Sequence, residues 1–169
     1  MTKKPNTEIE RKFLIGYPDR ELLKKSPGCR IFEFEQTYLL CDDGSMRVRK
    51  SECCGKTEYI RNIKKRISDM AHLEDERVIS EETYRELLLC ADKSRNVVKK
   101  TRYKIPFENH IMEIDIYPFW KDRAVLEVEL SEENEEFAIP DYIRIIKEVT
   151  YDNRYSNKAL AKDIINETL

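Results

Sequence analysis

The stretch that decides the fold is Glu8-Ile9-Glu10-Arg11-Lys12-Phe13, near the start of the chain. Side chains on a β-strand alternate between two faces, so Glu8, Glu10 and Lys12 are expected to share one face. Carboxylate oxygens suit a hard divalent cation, and an ammonium group suits the anion that such a cation neutralises. The stretch therefore predicts a strand that carries a site for metal-chelated phosphate.

A Glu-x-Glu pair is weak evidence by itself in this chain. Five such pairs occur among 22 glutamates, and about three are expected by chance, so the false-positive risk of this short motif is real. The pair Glu8/Glu10 differs from the others because Lys12 occupies the next position on the same face. The interpretation then depends on basic motifs elsewhere in the chain.

The composition indicates one globular domain, and we expect residues 1–169 to form it. Charged residues make up 38% of the chain, well above the usual fraction. The 31 Lys and Arg against 33 Asp and Glu leave a net charge of −2, which argues against a nonspecific nucleic-acid or membrane binder. Such a balance of both signs suggests that some charges lie inside the protein.

The cysteines and histidines do not form a zinc or disulfide pattern. The five cysteines include no Cys-x-x-Cys pair, and His72 and His110 are the two histidines of the sequence. Without a signal peptide or a long apolar run, reduced thiols and a cytoplasmic protein are expected. The adjacent Cys53-Cys54 could bind a soft metal, but no further Cys or His pair accompanies it.

Strands separated by turns are predicted along most of the chain. The predicted strands are 6–15, 31–39, 46–50, 57–66, 72–79, 96–107, 111–117 and 124–130. Predicted helices cover 19–25, a segment from the N-cap Ser80 to about 90, a short stretch opened by Pro140, and 156–165. Antiparallel strands with turn-sized links indicate a sheet that closes or nearly closes.

Charged residues recur at a spacing of two along successive strands. The pairs are Arg47/Arg49, Lys100/Arg102, Glu113/Asp115, Glu127/Glu129 and Glu74/Glu76. On a half-exposed sheet any one pair would be a solvated face. The flanking positions are largely apolar, however, so if helices cover them the charged faces line the inside of a barrel. A barrel of about eight strands can hold one small ligand, and buried charges must be paired or bind ions.

The order of these motifs resembles the CYTH superfamily, the triphosphate tunnel metalloenzymes, from Glu8 to about Ala161. The resemblance rests on the opening Glu-x-Glu-x-Lys signature and on Gln36–Leu39, Arg47–Arg49, Ile63-Lys64, Glu74–Glu76 with Ile79, Lys100–Tyr103, Glu113–Asp115, Glu127–Glu129 and Asp152–Asn157 with Leu160. It implies an α+β fold: a closed or nearly closed eight-stranded antiparallel β-barrel, or tunnel, with helices packed outside.

The same resemblance implies roles for individual residues. The phosphate clamp would consist of Lys12, Arg47, Arg49, Lys64, Lys100, Arg102 and Arg154, although a surface arginine is an equal alternative for Arg154. Mg²⁺ or Mn²⁺ would be held by Glu8, Glu10, Glu127 and Glu129, with Glu74, Glu76 and Asp115 nearby as second-metal or water-positioning groups. Tyr38, if it lies near Lys100, would have a lowered pKa and serve as a general base, or else it simply packs.

Two positions depart from the family pattern. His72 stands where the family often has arginine, which predicts phosphate binding that depends on pH near neutrality. Trp120 lies in a link that lacks the family's usual glycines. Such a tryptophan either covers the core, which we favour, or stacks on an organic group at a tunnel mouth.

The function expected from the resemblance is metal-dependent hydrolysis of a linear triphosphate, with inorganic tripolyphosphate as the favoured substrate. Class IV adenylate cyclase and thiamine triphosphatase share the tunnel and are alternatives. A non-catalytic polyphosphate- or nucleotide-binding module is an alternative of another class. The expected partner is a triphosphate-containing small molecule rather than nucleic acid or a membrane, and the chain is expected to be a monomer or a homodimer.

Overall fold

The computed structural model describes residues 6–169. The strands are β1 (Asn6–Gly16), β2 (Arg30–Leu39), β3 (Ser45–Cys53), β4 (Lys56–Arg66), β5 (Ala71–Ile79), β6 (Val98–Phe107), β7 (His110–Ile116), β8 (Arg123–Leu130) and β9 (Ile145–Glu148). The helices are α1 (Arg20–Lys25), α2 (Glu81–Leu88) and α3 (Asn157–Leu160), with a 3-10 turn at Asn153–Tyr155. None of the described helices is long and apolar enough to span a membrane.

Eight of these strands form a closed antiparallel barrel. Neighbouring strands follow the order β5-β4-β3-β2-β6-β7-β8-β1, and β5 also pairs with β1. The closing pair places Glu8 opposite His72, and the other edge of β1 places Lys12 opposite Glu127. Closure pairs the backbone groups that an open sheet leaves at its edges. The predicted eight-stranded barrel is confirmed.

The ninth strand, β9, was not predicted, and it pairs with the edge of β1 at which the barrel closes. The same edge of β1 pairs with β5 over Asn6–Ile9 and with β9 over Phe13–Ile15. Beyond β9, the Val149 N–H donates to the Lys12 carbonyl at 2.8 Å. These hydrogen bonds therefore attach the C-terminal segment to β1, the strand that carries the opening motif.

Two helix predictions were wrong. No helix begins at Pro140: the chain makes one turn and continues into β9, where β-branched isoleucines favour an extended strand. The predicted helix 156–165 is a single turn, Asn157–Leu160, although Ser156 caps it by accepting from the Ala159 N–H. The helix ends because hydrogen bonds to a distant segment replace those of the helix. The Ala161 carbonyl, for example, accepts from the Asn96 N–H at 2.6 Å.

The outward faces of the strands carry most of the apolar core. One cluster, which includes Phe13, Tyr103, Ile114 and Leu126, packs against Leu23 of α1. Helix α1 begins where the Asp19 carboxylate accepts from two backbone N–H groups, a favourable N-cap. A second cluster joins α2 to β2 and β3, and Ser80 caps α2 as predicted. The alternation leaves the charged faces pointing inward.

One end of the barrel interior is filled by apolar side chains. Leu14, Val98 and Val125 share faces with the inward charged residues of their strands and form one buried cluster with Tyr38 and Tyr117. That cluster continues into the chain after β9 through Tyr155, Leu160 and Ala161. Residues of the strands and of the C-terminal segment therefore fill this end of the barrel together.

Candidate active site

The barrel encloses a polar cavity of about 350 Å³. Its wall includes side chains from all eight barrel strands: Glu8, Glu10, Lys12, Tyr38, Arg47, Arg49, Asn62, Lys64, His72, Lys100, Arg102, Glu113 and Glu127. The C-terminal segment adds residues between Val149 and Lys158. Barrel closure thus brings the two ends of the chain to one site.

A buried ion-pair network at Asp115 underlies part of the cavity wall. Asp115 is fully buried and accepts from Arg102 Nε at 2.6 Å and Nη2 at 2.7 Å. Its Oδ2 also accepts from Lys100 Nζ at 2.5 Å. Burial alone would raise the pKa of Asp115, but Arg102 and Lys100 outweigh it and hold the pKa below its usual value. Asp115 therefore positions two cations from beneath.

Of these two cations, Lys100 loses its proton more readily. Burial and the neighbouring Arg102 charge lower the pKa of Lys100 to about 8, although Asp115 and Glu127 oppose the shift. Arg102, in contrast, has a pKa raised well above its ordinary value, because Asp115 and Glu113 outweigh its desolvation. The two cations therefore differ in how readily they release a proton.

Glu127 is a second buried carboxylate with cationic partners. It accepts from Lys12 Nζ at 2.9 Å and from Arg102 Nη2 at 2.7 Å. Despite its burial, Lys12 and Arg102 hold the pKa of Glu127 well below its ordinary value. Glu127 is therefore ionised and already shared between two positive charges.

Glu8 and Glu10 have the opposite electrostatic character. Burial raises the pKa of both carboxyls, and the Glu127 carboxylate adds to the shift at each. Lys64 opposes the shift at both, with its Nζ 2.7 Å from Glu8 and 3.7 Å from Glu10, and Lys12, 3.9 Å from Glu10, opposes it there as well. The nearby cations therefore do not fully offset the cost of burying Glu8 and Glu10 in their ionised form.

This donor set fits a hard divalent cation in its chemistry. Glu129 lies directly opposite Glu10 across β1 and β8, and partial burial together with Glu8 and Glu113 raises its pKa. Adjacent carboxylates that resist ionisation are the groups that a bound Mg²⁺ or Mn²⁺ stabilises. Within residues 6–169, however, no three His, Cys, Asp or Glu side chains are grouped closely enough to hold an ion as they stand.

Arg47 and Arg49 offer unused hydrogen-bond donors inside the barrel. The Nε atoms of both are buried and have no partner among the described residues. The Arg49 guanidinium lies 4.4 Å from the centroid of the Phe34 ring, and burial and Arg47 lower the Arg49 pKa. Buried guanidinium donors without partners suit an anion with several oxygens, such as a phosphate group.

The comparisons with known proteins agree with this geometry. No family model matches the chain. An inorganic triphosphatase from Acetivibrio thermocellus is 34% identical over 160 residues, covering 92% of this chain and 94% of that protein. An inorganic triphosphatase from Nitrosomonas europaea is 35% identical over 164 residues, covering 94% and 99%. The chain belongs to the inorganic triphosphatase family within the CYTH superfamily.

Solved structures extend the likeness to the fold. The crystal structure of the inorganic triphosphatase NE1496 is 29% identical, with a TM-score of 0.58, and the match covers 97% of this chain and 100% of that one. The structure of PH1819 from Pyrococcus horikoshii OT3 has a TM-score of 0.56 at 23% identity, covering 75% of this chain and 80% of that one. The second likeness shows the barrel fold alone.

Most of the expected CYTH site residues line the cavity, but five do not. Lys12, Arg47, Arg49, Lys64, Lys100, Arg102, Glu8, Glu10, Glu127 and Tyr38 lie on its wall. Asp115 lies beneath it, and the exposed Arg154 pairs with Asp152. Glu129 is exposed at the end of β8, while Glu74 and Glu76 contact Asn62 Nδ2 at 2.5 and 3.3 Å. The roles of all these residues stay predictions.

The surroundings of two side chains bear on interpretations made from the sequence. Burial and the charges of Lys64 and Lys12 lower the pKa of His72 to about 4, so the imidazole is neutral near pH 7. The expectation that His72 makes phosphate binding depend on pH near neutrality stays a prediction. Trp120 is buried, packs edge-on against Tyr117 and donates from Nε1 to the Ile165 carbonyl at 2.9 Å. Trp120 therefore covers the core, as the favoured alternative proposed.

Two further site residues have partners that the sequence did not indicate. Asn157 Oδ1 accepts from the Tyr117 hydroxyl at 2.6 Å and from Lys100 Nζ at 3.3 Å. Lys158 Nζ donates to the Gly44 carbonyl at 3.0 Å and joins the C-terminal segment to the β2–β3 turn. Asn157 belongs to a family motif, but its partners follow from barrel closure rather than from local sequence.

Proposed function

We propose that this chain is a divalent-metal-dependent hydrolase of linear triphosphates, with inorganic tripolyphosphate as its substrate. The observation that carries the proposal is that two sets of side chains, one cationic and one acidic, lie inside the same barrel. Arg47 and Arg49, whose buried Nε atoms have no partner among the described residues, line the cavity together with Glu8 and Glu10, whose pKa values are raised. A metal-chelated triphosphate supplies the anion to one group and the cation to the other.

The charge of the cavity wall supports metal dependence. Eight Lys and Arg side chains line the cavity together with six Asp and Glu side chains, which leaves an excess of two positive charges. A triphosphate carries about four negative charges near neutral pH, so the wall alone does not neutralise it. A bound divalent cation would provide the remaining charge and would polarise the phosphate oxygens during hydrolysis.

The lining favours an inorganic substrate over an organic one. Tyr38 is the one Phe, Tyr or Trp residue among the described residues of the cavity wall. Nucleobases and other flat organic rings are commonly bound by stacking on aromatic side chains. Class IV adenylate cyclase and thiamine triphosphatase activities are therefore less well supported than tripolyphosphate hydrolysis. Both relatives are named for inorganic triphosphatase activity, which points the same way.

The residues of the chain would act mainly by position and charge. Arg47, Arg49 and Arg102 would bind phosphate oxygens and neutralise the charge that grows on the leaving phosphate. Lys100, held by Asp115 and Asn157, would bind a neighbouring oxygen, and the Tyr38 hydroxyl on the cavity wall would hydrogen-bond and orient the attacking water. Glu76, whose Oε2 is 3.3 Å from Arg49 Nη2, would position that arginine.

Arg49→Ala is expected to weaken substrate binding by about 10-fold or more, because one buried guanidinium fork is lost. The measurement is the KM for tripolyphosphate by steady-state phosphate release. Arg49→Lys should recover less than half of the loss, since an ammonium group cannot bind two oxygens side by side. Arg61→Ala is the control, because Arg61 lies on β4 and pairs with Asp75 outside the cavity lining. Wild-type kinetics for Arg49→Ala would remove Arg49 from the clamp.

The experiment that tests the function is phosphate release from tripolyphosphate, ATP and thiamine triphosphate. Each substrate is assayed with Mg²⁺, Mn²⁺ or EDTA, and cyclic AMP is measured in parallel. Metal-dependent hydrolysis with tripolyphosphate preferred is the expected result. Cyclic AMP with pyrophosphate would indicate a cyclase instead. If none of the substrates is hydrolysed but tripolyphosphate still raises the melting temperature, the protein is a binding module.

A further inference from the structure

The β3–β4 turn carries two adjacent cysteine thiols outside the cavity. Cys53 is the last residue of β3 and pairs with Lys56, so Cys54 and Gly55 form a two-residue hairpin turn. The Sγ atoms of Cys53 and Cys54 lie 3.5 Å apart. Cys54 is exposed, and both thiols are free. The turn therefore presents two sulfur atoms together at the surface.

The backbone of this turn is unusual for cysteine. Cys54 has φ 54° and Gly55 has φ 74°, the left-handed conformation that a type I′ hairpin turn requires at both of its central positions. Asn, Asp and Gly are the usual residues at the first position, because an ordinary side chain is strained there. The turn holds both thiols on one short rigid connection, whose ends are fixed by β3 and β4.

We propose that Cys53 and Cys54 form a vicinal dithiol site that chelates thiophilic ions, above all trivalent arsenic compounds. The sulfur separation suits a bridging atom: two sulfurs each about 2.3 Å from one atom, with an angle of about 90 to 110° between the two bonds, lie about 3.3 to 3.8 Å apart. The observed 3.5 Å falls in that range, whose narrower end is that of pyramidal trivalent arsenic. A direct disulfide suits it less, because neighbouring Cα atoms lie about 3.8 Å apart and disulfides usually span about 4.4 to 6.8 Å. Chelation needs little rearrangement of the turn.

The number of ligands selects the class of ion. A structural zinc site needs four protein ligands, but no third His, Cys, Asp or Glu joins these thiols in the part of the chain that the structure describes. A monosubstituted trivalent arsenic needs two sulfurs, since its third bond is to its own carbon substituent. Thiols are also the soft ligands that such ions prefer.

The reaction with an arsine oxide balances without a change of oxidation state. Two As–S bonds form, the As–O bond breaks, and the two thiol protons leave with that oxygen as water. The arsenic atom remains trivalent throughout. No additional oxidant or reductant is required.

Phenylarsine oxide, added in equimolar amount to the full chain, tests the site by intact-mass measurement. One adduct is expected that survives excess glutathione, a monothiol, and is removed by dimercaptopropanol, a dithiol, because a two-sulfur ring resists replacement by single thiols. Cys53→Ser and Cys54→Ser should each lose the glutathione-resistant adduct. Melting temperatures equal to that of the wild type would establish that both variants remain folded.

The remaining cysteines supply matched controls. Cys41→Ser and Cys90→Ser remove exposed thiols elsewhere and should retain the resistant adduct in full. An adduct that glutathione removes from the wild type, or one that persists in Cys53→Ser, would overturn the proposal. The result is independent of triphosphate hydrolysis, since neither Cys53 nor Cys54 lines the cavity.

Discussion

Glu10→Gln is expected to abolish metal-dependent turnover of tripolyphosphate while leaving the fold at least as stable as the wild type. The loss of kcat should be about 100-fold or more, the size seen when a group that stabilises transition-state charge is removed. Stability should not fall, because burial and the Glu127 carboxylate already raise the pKa of Glu10. A neutral amide of the same shape removes that repulsion.

The measurement pairs steady-state phosphate release with thermal unfolding, and Glu35→Gln is the control. Glu35 lies on β2 and pairs with Lys99 on the surface, so its replacement should change neither quantity appreciably. A fully active Glu10→Gln would exclude Glu10 as a metal ligand. A large fall in melting temperature would instead mean that Lys12 and Lys64 depend on the Glu10 charge for folding.

Asp115→Asn is expected to destabilise the protein by about 3 to 5 kcal/mol, the range for breaking a buried ion pair by removing one partner. The fully buried carboxylate neutralises Lys100 and contributes to neutralising Arg102, and the neutral amide would leave positive charge uncompensated inside the barrel. The measurement is the free energy of unfolding in urea. Activity should fall as well, because both cations lose the group that positions them.

The pH dependence of stability provides a further check on Asp115. Arg102 and Lys100 lower its pKa in the folded protein, so the ionised carboxylate stabilises the fold. That contribution is complete above the pKa of the unfolded chain and is lost as the pH falls through the lower native value. Asp115→Asn should therefore flatten the acid limb of the stability curve. The exposed Glu81, paired with Arg85 on α2, provides Glu81→Gln as a control that should remain close to the wild type.

These two carboxylates illustrate what a charge pattern leaves open. In the sequence both Glu10 and Asp115 are acidic residues on the charged face of a strand, and both were assigned to metal binding. In the fold Asp115 lies beneath two cations, whereas Glu10 lies opposite Glu129 and near Glu127. Strand register and burial give these two carboxylates different surroundings, and neither property can be read from the sequence alone.

The sequence determined the strands, the inward charged faces and the resemblance to the CYTH family, because strand alternation is a local property with a period of two. Ser80 as an N-cap followed from local chemistry in the same way. The helices expected at Pro140 and after Ser156 failed because partners distant in sequence determine those segments. Asn96, for example, bonds the Ala161 carbonyl that a longer helix would use.

Only the tertiary structure decided how the charges combine. Closure of the barrel places Glu8 opposite His72 and Lys12 opposite Glu127, across separations that no local pattern encodes. It also places Asn157 against Lys100 and thereby makes the C-terminal segment part of the site. Direction and size of each pKa shift depend on distance and burial, which exist only after closure. The sequence therefore determined which charges are present, and the closed barrel determined which of them remain available to a ligand.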